Sequence, residues 1–129
     1  MPAAPKVCRL WKGMVIKMEQ LTSRKNPEAV GLLEVFGLVC AFLAADAGCK
    51  AANVHLEVFD KNKPANADSL PVPLLVTVKF RGSIADVEEA MRAAEAVALQ
   101  NTGIVSKYII PRPTEDTEKM LKISALDKN

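Results

Sequence analysis

Leu74-Leu75-Val76-Thr77-Val78-Lys79-Phe80-Arg81-Gly82-Ser83-Ile84-Ala85-Asp86 holds the transition that organises this chain. Leu74, Val76, Val78 and Phe80 fall on one side of an alternating segment, which predicts a strand over 74–80. Ser83-x-x-Asp86 then has the form of a capping box, in which the serine oxygen meets an orphan backbone N–H at a helix start. Val87, Ala90, Met91, Ala94, Val97 and Ala98 recur at helical spacing behind it, and Gly103 is suited to end the helix. Ile104 to Ile110 reads as a further strand. Pro111 and Pro113 stop it, because neither has the N–H that a ladder needs.

Upstream the same grammar recurs. Val30 to Val35 is a short apolar strand stopped by Gly37. A helix follows, with Leu38, Ala41, Phe42, Ala45, Cys49 and Ala52 as an apolar stripe and Cys40, Ala44, Ala47 and Ala51 as a second face of small residues. Asp46 and Lys50, one turn apart, form a favourable pair on its remaining side. Val54, Leu56 and Val58 alternate with His55, Glu57 and Phe59 in another strand. Residues 60–73 are dense in turn formers and read as a loop. The order strand, helix, strand, strand, helix, strand is the split βαβ arrangement of the ferredoxin-like class. It predicts an α+β fold with two helices on one face of a four-stranded antiparallel sheet. Residues 114–129 form a charged tail with the makings of a short helix.

A chain of 129 residues, half of them apolar and a quarter charged, suits one domain with short extensions. The net charge of +2 is unevenly spread. Residues 1–27 hold Lys6, Arg9, Lys12, Lys17, Arg24 and Lys25 against Glu19 alone, whereas 28–129 carry eleven basic and fourteen acidic residues. The domain therefore lacks the basic footprint of a nucleic-acid binder. No apolar run approaches the ~20 residues of a membrane span. No secretion signal is evident either, and a cytosolic location is expected. Cys8, Cys40 and Cys49 are odd in number and have no C-x-x-C spacing, so neither a disulfide framework nor a zinc site is expected. Cys40 and Cys49 read as small buried hydrophobes.

Element order alone fixes no function. The residue strings Glu28-Ala-Val-Gly-Leu-Leu-Glu, Ala44-Ala-Asp-Ala, Lys50-Ala-Ala-Asn-Val, Val76-Thr-Val, Arg81-Gly82 and Ile110-Pro-Arg-Pro do carry more. In this order and at these gaps, they resemble the shell-forming domain of bacterial microcompartments, over about two thirds of the chain. The resemblance implies a structural subunit rather than an enzyme, with no cofactor. It implies a flat hexamer that packs edge to edge in a shell within the cytoplasm. Lys50 matches the lysine that meets its two-fold mate at the hexamer edge, and Asn53 and Arg112 match the residues that support it. The bland reading of Lys50 is a solvated helix residue paired with Asp46. Expected partners are further copies of the chain, other shell proteins and enclosed enzymes; nucleic acid and membrane are not among them.

The chain departs from the family at the pore. The usual short Lys-Ile-Gly-Ser-Gly turn is replaced by Asp60-Lys61 and a longer stretch, Asn62 to Pro73. Lys61, Asn62, Lys63, Asn66, Asp68 and Ser69 are the candidate pore-loop residues, and the three prolines Pro64, Pro71 and Pro73 restrict the loop's freedom. Some relatives hold an iron–sulfur cluster on a cysteine in this loop. No cysteine lies between Asn53 and Pro113, so that function is not carried over.

Three segments are expected: an N-terminal basic extension over 1–27, the shell domain over 28–113, and the tail over 114–129. Val7, Leu10, Trp11, Met14, Val15, Met18 and Leu21 give the extension an apolar stripe. Three uses suit it: packing on the shell domain or a neighbour, docking another microcompartment protein, or contact with an anionic membrane surface. His55, the single histidine, reads as a structural or exposed strand residue, and no nucleotide loop, metal motif or nucleophile elbow is present. The alternative reading is a trimeric small-ligand regulator of the ferredoxin-like type, to which the long 60–73 loop would be suited.

Overall fold

A computed structural model describes residues 28–123, so the expectations for the 1–27 extension and for the end of the tail lie outside the described residues. Strand β1 (Ala29–Phe36) leads into helix α1 (Leu38–Ala51), followed by the short strands β2 (His55–Leu56) and β3 (Asp60–Asn62). A 3-10 turn at Ala67–Ser69 precedes β4 (Leu75–Gly82), α2 (Ile84–Gln100), β5 (Ile104–Ile110) and the seven-residue α3 (Glu115–Leu121). The sheet runs β2-β4-β1-β5, with β3 also paired to β4, and every pairing is antiparallel. The α+β class and split βαβ order are as expected.

Boundaries hold best where the chain has chemical punctuation. The Ser83 oxygen accepts from the Asp86 N–H at 3.2 Å, and its hydroxyl donates to the Asp86 carboxylate at 2.8 Å. Gly103, at φ 99°, sends its N–H back to the Ala98 carbonyl at 2.8 Å, so the chain turns back and satisfies one of the carbonyls left open at the helix end. Between these signals Val87, Ala90, Met91, Ala94 and Ala98 are buried as expected.

Helix α1 differs from its expected stripe. Cys40, Ala41, Ala44, Ala45 and Gly48 are buried, while Leu38 and Phe42 are exposed. The cause is proximity. A Cβ on Gly48 would lie 2.4 Å from the Phe80 ring and 3.1 Å from the Ala90 carbonyl, so only the small face fits between sheet and neighbouring helix. The larger side chains are left on the outside.

The expected edge strand over 54–59 is broken. His55 and Leu56 oppose Arg81 and Phe80, but Asp60 opposes Thr77, so three residues (57–59) face two (78 and 79). One extra residue is a β-bulge, and it reverses which side the following residues face. Without it Asp60 would stand opposite Val76 on the side of the core. With it, Glu57 and Asp60 both reach the side of the sheet away from α1 and α2. The expected loop 60–73 thus begins as strand.

That second side is covered too. Lys79 and Arg81 alternate with the core residues Val78 and Phe80, yet they are 2% and 3% exposed. Helix α3 lies over them: Lys79 Nζ donates to the Leu121 carbonyl at 2.9 Å, and Arg81 grips Glu118 through both terminal nitrogens at 2.7 and 2.6 Å. The charged tail is therefore tied to the sheet it follows.

Candidate functional site

Strand register sorts the expected site residues into two groups. His55, Arg81, Val30 and Ile110 form one cross-sheet row, at the end where β2 starts and β5 finishes. Asn53 precedes this row and Arg112 follows it, on opposite edges of the sheet. Helix α1 returns to the same end, bringing Lys50 into its last turn. Asn62, Leu75 and Phe36 form the row at the far end, where Lys63, Asn66, Asp68 and Ser69 continue from β3. Six residues along β1 and β4, at ~3.3 Å each, separate the two rows by about 20 Å. Candidate edge and candidate pore loop thus occupy opposite poles of the subunit.

At the first pole Lys50, Asn53 and Arg112 are all exposed. Lys50 Nζ lies 2.7 Å from the Asp46 carboxylate, and this hydrogen bond and the charge behind it raise the Lys50 pKa. In the isolated chain Lys50 is therefore the solvated, paired helix residue of the bland reading. Its head is nonetheless available, because an exposed pair of this kind is weak and easily exchanged.

At the second pole the loop is folded back on itself. The Ala67 N–H reaches the Pro64 carbonyl at 3.0 Å, and the Ser69 N–H and hydroxyl both reach the Asn66 carbonyl, at 2.9 and 2.7 Å. Ala67 is buried, and Gly37 joins the end of the loop to β1 through its N–H to the Leu74 carbonyl at 2.8 Å. Lys63, Asn66, Asp68 and Ser69 remain exposed. Beneath them Asp60 meets the buried Lys79 at 2.8 Å.

A charge cluster that the sequence reading missed joins the poles to α3. Arg81, besides Glu118, lies 3.6 Å from Glu57 and donates to the Glu28 carbonyl at 3.2 Å. Burial opposes its charge, but hydrogen bonding to Glu118 and the fields of Glu118, Glu57 and Glu28 prevail and raise its pKa. The same hydrogen bond holds the Glu118 carboxyl below its ordinary value. The one available sequence signal was the spacing of Lys79 and Arg81 on the side of β4 opposite Val78 and Phe80.

Between the poles both flanks expose apolar side chains. Val39, Phe42 and Leu43 of α1 stand with Leu56 and Val58 on the β2 flank, where the Phe42 ring lies 5.2 Å from Phe59. Leu99, Val105 and Tyr108 stand on the β5 flank, beside an open groove of about 310 Å³ floored by Met91, Tyr108 and Ile109. Exposed apolar area of this extent marks surfaces that meet other proteins. His55 lies 3.6 Å from Glu28 at the surface. Among the described residues no group of three His, Cys, Asp or Glu is placed to hold a metal, and no helix is long and apolar enough to cross a membrane.

Comparison with known proteins gives a consistent result. Residues 29–113 match the family model of the BMC domain. The chain is 34% identical over 104 residues to the carboxysome shell protein CcmK3 of Halothece sp., covering 79% of this chain and 93% of that protein. It is 38% identical over 94 residues to the bacterial microcompartment shell protein PduA of Citrobacter freundii, covering 73% and 91%. Among solved structures it is similar to a microcompartment protein from Desulfitobacterium hafniense, at a TM-score of 0.57 and 24% identity over 77% of this chain. The chain spans about half of that structure, 49%, and the likeness is one of fold.

Proposed function

Because the chain belongs to the BMC domain family and is a microcompartment shell protein, we propose that it closes into a hexamer whose rims tile a shell and whose loops govern passage through a central pore. Family membership also decides between the two sequence readings, in favour of the shell and against the trimeric regulator. The role is structural. Residues 28–113 act as the shell domain, 1–27 as an extension and 114–129 as a tail.

The observation that carries the ring reading is the segregation of the site residues to opposite poles. A subunit with its loop at the axis must have its other end at the rim, where Lys50, Asn53 and Arg112 stand. Its flanks must then meet those of its neighbours. The β2 flank and the β5 flank differ in composition, which suits a head-to-tail contact that closes on itself. At the rim two Lys50 side chains from adjoining rings lie antiparallel, each giving up Asp46 for an acceptor across the contact. Asn53 and Arg112 support that arrangement. At the axis Lys61, Asn62, Lys63, Asn66, Asp68 and Ser69 line the opening. Other shell proteins and the enclosed enzymes are the remaining partners.

Native mass spectrometry of the purified protein tests the ring, with electron microscopy to show sheets. A six-subunit species that assembles into layers is expected. A stable monomer at high concentration would falsify the proposal.

A further inference from the structure

Counted along the chain, the loop over 60–73 is electrically balanced: Asp60 and Asp68 against Lys61 and Lys63. The fold breaks that balance. Asp60 is engaged by Lys79, a residue of β4 outside the loop, at 2.8 Å. Lys79 is 2% exposed, so its ammonium acts on Asp60 from within the protein, where solvent screens it little. The pair cancels at a distance, so that within the loop Lys61 and Lys63 are opposed by Asp68 alone. Lys61 cannot replace Lys79, because it stands opposite Val76, on the other side of the strand from Asp60. The bulge at 57–59 is what turns Asp60 toward Lys79. The Leu121 carbonyl, accepting from the same ammonium at 2.9 Å, holds Lys79 in place from α3.

We propose that Lys79 sets the charge preference of the pore: by neutralising Asp60 it gives every subunit a net positive loop, and the ring of loops favours small anions. This rests on the hexamer reading above. Repeated around one axis, one uncompensated positive charge per subunit concentrates counter-ions at the mouth and biases which solutes enter. Lys79 acts through Asp60 and need not touch the passing solute.

The test uses rings of the full chain, their mass first confirmed by native mass spectrometry, inserted in planar lipid bilayers. The reversal potential is measured across a potassium chloride gradient at low ionic strength, where charges are least screened. Wild-type rings are expected to prefer chloride. Lys79→Met removes this buried positive charge from beside Asp60 and is expected to lose most of that preference, and Lys79→Arg to keep it. Lys79→Gln, which retains a donor for the Leu121 oxygen, is a second form of the loss should the methionine impair folding. Combining Lys79→Met with Asp60→Asn restores the same free charge and is expected to restore the preference. A purely structural lysine would leave the double variant as impaired as the single one, and that result overturns the proposal. So does an unselective wild-type ring, or a Lys79→Met ring that still prefers chloride. A mass spectrum without rings overturns the hexamer reading itself, and this proposal with it.

Discussion

Taking a guanidinium out of water costs several kcal/mol unless its donors are met. Arg81 offsets that cost with two short bonds to Glu118, a carbonyl bond to Glu28 and the nearby Glu57 carboxylate, leaving Nε without a partner among the described residues. Glu118 is therefore expected to matter more than a tail residue normally would. Glu118→Gln keeps the shape and removes the charge, so a loss of about 2 kcal/mol in urea denaturation at neutral pH is expected, typical of a charge-assisted bond. The sign with pH follows from the direction of the shift. Because the folded Glu118 titrates below its ordinary value, its stabilisation is present above that value and lost as the pH falls through the lower, folded one. Wild type should lose stability on acidification below about pH 4, and the variant should lose less over the same range. Equal slopes for the two proteins would mean the bond is absent in solution.

At the scale of elements, α1 shows what close approach demands. Phe80 is fully buried and cannot yield, so Gly48→Ala is expected to cost about 1–3 kcal/mol by overpacking, measured as a lower denaturation midpoint. A neutral result would show that the helix can lift from the sheet. The same closeness explains why Leu38 and Phe42 of the α1 stripe were misjudged from sequence, while Ala41 and Ala45 of that stripe and Cys40 and Ala44 of the small second face are buried. Hydrophobic spacing selects the largest side chains, Leu38 and Phe42, whereas the space available admits only Cys40, Ala41, Ala44, Ala45 and Gly48. Helix α2 and strand β5 were legible because Ser83, Gly103, Pro111 and Pro113 mark their ends by local chemistry. The edge strand was not, since a bulge is one residue out of step and leaves no mark in alternation. Nor was the burial of Lys79 and Arg81, whose partner helix lies far downstream in a segment that reads as a polar tail.

For the whole molecule, the sequence strings named the candidate edge and pore-loop residues, but only strand register could set them at opposite ends of the subunit. Two expectations belong here. Lys50→Ala is expected to leave the ring intact and abolish or greatly reduce sheets in electron micrographs, because Lys50 is exposed in the last turn of α1, at the pole proposed as the rim. Undiminished sheets would remove Lys50 from the tiling contact. Shortening the loop within 62–73, while keeping Asp60 and the Gly37–Leu74 junction, is expected to alter conductance through the ring with little change in the unfolding midpoint. Of this stretch only Ala67 is buried, and the backbone hydrogen bonds at Ala67, Ser69 and Leu70 are internal to the loop. A large fall in stability with unchanged conductance would reverse that assignment.

The bulge at 57–59 also imposes a parity rule on anyone who would re-engineer this subunit. Deleting or adding a single residue there exchanges odd for even: Asp60 would swing to the opposite surface, Lys79 would be stranded, and the grip on the C-terminal helix would slacken. Beyond Asn62 no such bookkeeping applies. Foreign turns spliced between that point and Leu74 can differ in length, so the loop can diversify while the frame that presents it stays the same.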